Sequence, residues 1–171
     1  KLDPKHEYGS TRGLSPAVIS QLEMGYASRG SMSGRWCAPL HNAAGELVAY
    51  IGRYAADPVP DDVEKYRLPK GFHKELVLYN LHRVAGHTEI VALVEGIFDV
   101  ARLHALAMPV VGLLGTSVSD AQIASIEQGN HLRDPCSMLA LKKPSGSWFT
   151  GLVAISSCGG QCCPMAKTPP R

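Results

Sequence analysis

The segment 90–99, IVALVEGIFD, constrains the fold of this chain more than any other. An apolar run of strand type stops at Glu95 and a helix carrying Asp99 begins at once, so the two acids stand one helical turn apart beyond a buried strand. Open α/β folds gather ligand and metal chemistry at the carboxyl ends of parallel strands. Paired carboxylate oxygens there suit Mg²⁺, a hard cation that leaves coordination positions open for phosphate. An ordinary strand-to-helix loop with Glu95 solvated has the same local pattern, and the segment alone leaves both readings open.

The rhythm continues downstream with a helix over 97–107, a strand over 110–114 and a helix opened by the capping box Ser119-Asp120-Ala121-Gln122. Such alternation predicts a parallel sheet with right-handed crossovers. Upstream, Ser15 and Pro16 read as the cap and first-turn proline of a helix running through Met24, with Val18, Ile19 and Leu22 on one face and Gly25 ending it. Segments 36–40 and 47–52 are strand-like, and 41–46 has the content of a hairpin turn. Residues 57–62 form an irregular connection, 65–74 a basic segment bearing aromatics, and 78–84 a short helix. The expected class is α/β: a mixed α+β lobe over 1–85, a partial βαβ parallel sheet over 86–128, and an atypical tail over 129–171 without sustained periodicity.

With 171 residues and 45% hydrophobic content, the chain can bury one substantial core, or a main lobe with a small satellite. A net charge of +2 is too weak to announce nucleic-acid binding by itself. Its distribution is more telling, because residues 130–171 hold five Lys/Arg against one acid while the remainder is slightly acidic. No apolar run approaches a membrane span and residues 1–13 lack the apolar middle of a secretion signal, so a cytoplasmic location is expected. The start at Lys1 rather than Met suggests missing upstream sequence, and processing or trimming would look the same.

Taken in order, RGLSPAVISQLEMGYA (12–27), GRWCAPLHNAAGELVAYIGRY (34–54), EKYRLPKGFHKELVLYNL (64–81) and LVEGIFDVARLHALAMPVVGLLGTSVSDAQ (93–122) resemble the catalytic core of bacterial and phage DNA primases, whose heart is the Toprim domain. The resemblance covers residues 8–128. Topoisomerases and Toprim nucleases share only the last block, so the upstream three favour primases. What the resemblance implies is synthesis of RNA primers on single-stranded DNA from ribonucleoside triphosphates, a nucleotidyl transfer of DNA replication with Mg²⁺ or Mn²⁺ as cofactor. It casts Glu95 as the leading metal-holding acid, with Asp99 supporting the geometry or ligating directly. Arg35, Arg53, Lys65 and Lys74 match basic positions lining the template and nucleotide groove, where cations offset phosphate charge without reading sequence. Tyr66 would stack on a base. Gly96 and Gly115 would let backbone approach a ligand closely, and Thr116 would donate to phosphate. Each cation also fits a solvated surface charge, and Gly115-Thr116 a plain turn. His41, His73 and His104 form no metal-ligand spacing. Relatives work beside a replicative helicase and a zinc-binding template reader, so a helicase would engage regions outside this chain.

At the third metal element the pattern departs. The Asp-x-Asp pair expected near residues 137–141 is absent, and no Asp or Glu follows Asp134. Two-metal chemistry needs several convergent oxygens, so catalysis is expected to be impaired. Back-translated and read from the third base of each codon, residues 161–168 permit V-L-P-D-G-E-D-P with the leucine and glycine forced, which resembles the family's element beyond that strand; 141–144 likewise permit E-E-A. The expectation is a frameshift near residues 128–136, genuine or introduced by sequencing, and a tail that is disordered or wrongly packed. Truncating a parallel sheet in this way exposes an edge and predicts aggregation. Cys158, Cys162 and Cys163 have a spacing that invites zinc, but the family's zinc module precedes the core, so no zinc is expected and the tail cysteines read as reactive thiols. Two further functions stay open: a non-catalytic nucleic-acid-binding Toprim module of phage or plasmid origin, and a Toprim nuclease.

Overall fold

The computed structural model describes residues 1–84, 91–130, 138–141 and 152–154, with side chains over 1–84 and 91–126. Four strands, β1 (Gly25–Ala27), β2 (Arg35–His41), β3 (Leu47–Tyr54) and β4 (Tyr66–Arg67), form an antiparallel sheet in that order. A second sheet has the order β6-β5-β7-β8. Its centre, β5 (Val91–Val94), runs parallel to both β6 (Val110–Gly112) and β7 (Met138–Leu141), and β8 (Leu152–Ala154) adds antiparallel to β7. The α-helices among the described residues are α1 (Glu7–Thr11), α2 (Pro16–Gln21), α3 (Leu81–Val84), α4 (Ile97–His104) and α5 (Asp120–Asn130).

The α/β class and the parallel centre match the sequence pattern. All four residues of β5 are buried, the reading given by an unbroken VALV run covered on both faces. Strand β7 occupies the stretch where the family pattern expects its next strand, and β8 falls on the isolated apolar run near 152–155. The cysteine motif and residues 131–137, most of the stretch expected to hold the frameshift, lie outside the described residues, while β7 and β8 place two short pieces of the tail expected to be disordered or wrongly packed in the second sheet.

Local chemistry accounts for the element ends. Ser15 Oγ accepts the Val18 N–H at 3.3 Å and Pro16 occupies the first turn of α2, as expected. The helix stops at Gln21, short of Met24, because Glu23 turns left-handed at φ 55° and the Met24 N–H donates to the Ile19 carbonyl at 3.0 Å. That closure puts Leu22 and Met24 both into the core, and Gly25 starts β1 instead of ending a helix. Helix α4 ends likewise at His104, with Ala107 at φ 56° and the Met108 N–H on the Leu103 carbonyl, so residues 105–107 belong to the turn. Only the second half of the expected helix over 78–84 forms. Tyr79 instead exchanges backbone hydrogen bonds of 2.9 and 3.0 Å with Gly112, stitching this segment to the edge of β6.

The core runs without a break from α1, α2 and β2 to β5 and α4, through Tyr8, Ile19, Leu22, Trp36, Val94, Phe98 and Val100. Tyr8 links its two ends, 6.2 Å from the Trp36 ring and 6.3 Å edge-on to Phe98. The opposite face of the parallel sheet is covered by Leu78, Leu81, Val84 and Ile126.

Candidate functional site

Beyond the carboxyl end of β5 the two sheets leave a cleft of about 650 Å³. The turn from β5 into α4 supplies Glu95, Gly96 and Asp99; β4 and the residue before it supply Tyr66 and Lys65; the 3-10 turn Lys74–Leu76 supplies Lys74; and the segment after β6 supplies Leu114, Gly115 and Thr116. Eight of the ten site residues expected from the sequence therefore line one cleft. Ile51, Glu64, Leu68 and Ile97 line it too and were not anticipated.

The acids occupy the start of α4, where a helix N-terminus favours negative charge. Gly96 is the N-cap residue in extended conformation, and Asp99 lies in the first turn. A Cβ at Gly96 would sit 3.4 Å from Asp99 Oδ2, so that carboxylate lies beside the backbone at the helix start. Asp99 is 15% exposed and accepts from Arg102 Nη1 at 3.3 Å. Among the described residues no three His, Cys, Asp or Glu side chains form a metal-holding group. Two carboxylates suit a single hard cation completed by water and phosphate, and fall short of a two-metal site.

On the basic side, Lys74 Nζ lies 3.4 Å from where a Cβ on Gly115 would sit, which brings the ammonium group within van der Waals reach of the opposite wall. Leu114, just before it, takes a left-handed φ of 58°, a conformation disfavoured for leucine that turns the chain at the cleft wall. Tyr66 is 42% exposed, leaving ring surface available. Its hydroxyl is raised from its ordinary pKa by desolvation, against the pull of Arg53.

Arg35 and Arg53, expected in the groove, are not among its lining residues. Arg35 is 1% exposed; its Nη1 donates to the Glu64 carbonyl at 2.8 Å and the Gly52 carbonyl at 3.4 Å, and the guanidinium lies over the Tyr54 ring. Burial, with Arg67 nearby, pushes its pKa down. Arg53 is 5% exposed, with Nη2 donating to Asp57 Oδ1 at 2.8 Å and its guanidinium over the Tyr8 ring. The physical reason is the register: β2 pairs Arg35 with Tyr54 and Trp36 with Arg53, and residues 35–40 of β2 and 51–53 of β3 are all buried, so neither arginine has an open face. A planar fork of donors can be satisfied there by carbonyls and a carboxylate. Both act from beneath the cleft, Arg35 on the carbonyl preceding Lys65 and Arg53 beside Tyr66. Asp57, with Arg12 as a second partner, completes this support and is held below the usual carboxylate range by the Arg53 hydrogen bond. Its only sequence signal was a place in an irregular, proline-bearing connection.

No family model matches the chain. A curated DNA primase of Mycoplasma pneumoniae is 30% identical over 99 residues, 57% of this chain and 16% of that protein. A DNA primase of Staphylococcus aureus (strain MSSA476) is 27% identical over 128 residues, 72% of this chain and 21% of that protein. A DnaG primase catalytic domain solved bound to ssDNA superposes with a TM-score of 0.66 at 18% identity, over 84% of this chain and 65% of that one. The chain is DNA primase-like. This primase-like chain thus has the fold of a primase catalytic core and spans between 16% and 21% of the length of these two curated relatives. No helix among its described residues is long and apolar enough to cross a membrane.

Proposed function

We propose that the cleft is the template- and nucleotide-binding part of a primase-type core, taking single-stranded DNA and ribonucleoside triphosphates, and that nucleotidyl transfer is impaired in this chain. One observation carries the reading: the acids Glu95 and Asp99 and the cations Lys65 and Lys74 line the same cleft. Lys65 and Lys74 offset phosphate charge, Thr116 and the Gly115 backbone donate to phosphate oxygens, and the exposed Tyr66 ring offers a base a stacking surface. Glu95 and Asp99 are the residues that would hold Mg²⁺ or Mn²⁺. Such a cation, when bound, neutralises triphosphate charge and aligns the attacking hydroxyl. Impairment follows from the sequence beyond β5, which holds no Asp or Glu after Asp134 to complete the carboxylate cluster. The same absence favours, as second reading, a non-catalytic module that keeps the basic groove. A replicative helicase would be met through regions outside this chain, in the cytoplasm.

The test is incorporation of labelled ribonucleotides on a single-stranded template with Mg²⁺, run beside Glu95→Ala. The expected result is salt-dependent template binding, with a primer yield close to that of the variant. Vigorous synthesis that depends on Glu95 contradicts the impairment, absence of template binding overturns the cleft assignment, and metal-dependent strand scission indicates a nuclease.

A further inference from the structure

We propose that Gln122 is a positioning residue that holds Lys74 and the Gly115-Thr116 turn in register across the cleft; the inference rests on the reading of that cleft given above. Gln122 is 1% exposed, and its side chain is hydrogen-bonded at both ends. Its Oε1 accepts the Ser119 N–H at 3.0 Å while Ser119 Oγ accepts the Gln122 N–H at 3.1 Å, the reciprocal bonds of a capping box. Capping uses only the acceptor oxygen, and a glutamate would serve equally. The amide nitrogen makes the difference: Nε2 donates to the carbonyls of Val77 at 2.9 Å, Lys74 at 3.3 Å and Leu113 at 3.3 Å.

Those three carbonyls belong to two walls of the cleft. Lys74 and Val77 bracket the 3-10 turn Lys74–Leu76, which has no side-chain cap of its own, and Ser119 Oγ adds a 2.6 Å bond to the Glu75 carbonyl between them. Leu113 immediately precedes Leu114, whose φ is left-handed, and then Gly115. One buried amide therefore ties the backbone bearing Lys74 to the backbone bearing Gly115 and Thr116. With Lys74 Nζ lying 3.4 Å from the Cβ position of Gly115, a small relative shift of the two walls would move the ammonium out of place. The amide has two hydrogens for three carbonyls, so one is shared, and burying it costs desolvation unless these partners stay in place; the arrangement therefore rigidifies both segments together.

Gln122→Glu keeps the cap acceptor and sets a carboxylate oxygen against three carbonyl oxygens; Gln122→Met keeps the bulk, removes the donor, and serves if the glutamate variant fails to fold. Two readouts on the full chain are combined: amide hydrogen exchange over 74–77 and 113–116, and binding of a fluorescent oligothymidylate as a function of salt. The expected result is faster exchange in both segments and a salt slope lower by about 0.7, the loss of one phosphate contact on a single strand. Lys74→Ala should lower the slope by the same amount, and the double variant should lower it no further, because both changes remove the same cation–phosphate contact and the neutral donors Thr116 and Gly115 N–H release no counterion. A residue acting only on fold stability would leave the slope unmoved, and one acting on a different cation would lower it further in the double variant; either result overturns the proposal. Unchanged exchange, with Lys74→Ala still lowering the slope, also overturns it while leaving the cleft reading intact. Faster exchange with no effect of Lys74→Ala on the slope overturns the role of Lys74 and the positioning role with it.

Discussion

Arg35 and Arg53 carry the same charge as Lys65 and Lys74, and the sequence pattern offers all four as groove cations, yet the molecule divides them between scaffold and cleft. The arginines are buried, and each guanidinium is met by backbone carbonyls, a carboxylate or an aromatic face. The lysines line the open cavity. The lesson is one of geometry: a planar fork of five donors can be satisfied inside a sheet, whereas a strongly hydrated ammonium on a flexible stem stays where water and phosphate reach it.

The largest expected effect breaks the scaffold half of this comparison. Arg35→Ala leaves the Glu64 and Gly52 carbonyls without their buried donor and should cost roughly 2–4 kcal/mol in urea unfolding. If the loss is negligible, Arg35 is no scaffold and the division fails. A second prediction concerns a polar group that lacks such partners. His82 Nδ1 is buried with no hydrogen bond among the described residues, beside His41, Arg83 and Glu23, and its pKa is pushed down to about 4 by burial first and then by Arg83 and His41. Because the folded value lies below the unfolded one near 6.5, His82 contributes stability that is complete above pH 6.5 and lost as pH falls toward 4. The unfolding midpoint should decline across that window, and His82→Gln should flatten the decline; an equal decline in the variant assigns the effect to another group.

Asp57 gives a smaller change of the same sign. Its carboxylate pKa is lowered, so its contribution is present above the unfolded value near 3.9 and fades as pH falls through the lowered one. Being half exposed, the pair is screened, and Asp57→Asn should cost no more than about 1 kcal/mol at neutral pH in the same unfolding assay. A larger loss would mean that Arg53 depends on this one carboxylate more than its 3.4 Å bond to the Tyr54 carbonyl and its Tyr8 ring contact suggest. Smallest of all should be Lys65→Ala and Lys74→Ala, each within about 0.5 kcal/mol of the parent by urea unfolding, because neither side chain holds the fold together. A loss approaching that of Arg35→Ala would erase the distinction between the two pairs.

Much of the cleft was legible because it is written in local chemistry. The acid after an all-apolar strand, the glycine behind it and the Ser119–Gln122 cap each specify a turn within a few residues, and each forms. What escaped depended on pairing across the chain. Whether Arg35 and Arg53 point to solvent is decided by β2 being buried over 35–40 and β3 over 51–53, which no alternation in RWCAPLH or IGR reveals. Helix α1 escaped for a similar reason: EYGST has no helical period, and Gly9 is there because the Trp36 ring would come within 2.6 Å of a Cβ. The end of α2 escaped because Glu23, an unremarkable residue for a helix, is forced left-handed by the need to bury both Leu22 and Met24. Gln122 was legible as a cap and illegible as a bracket, since three of its partners lie nine to 48 residues away.

The division between buried arginines and cleft lysines is tested most directly by the salt dependence of single-stranded DNA binding in the full chain and in the Lys65→Ala, Lys74→Ala double variant. The account predicts a slope lower by about 1.4, two phosphate contacts on a single strand, with the urea midpoint essentially unchanged. An unchanged slope in a folded double variant would contradict it.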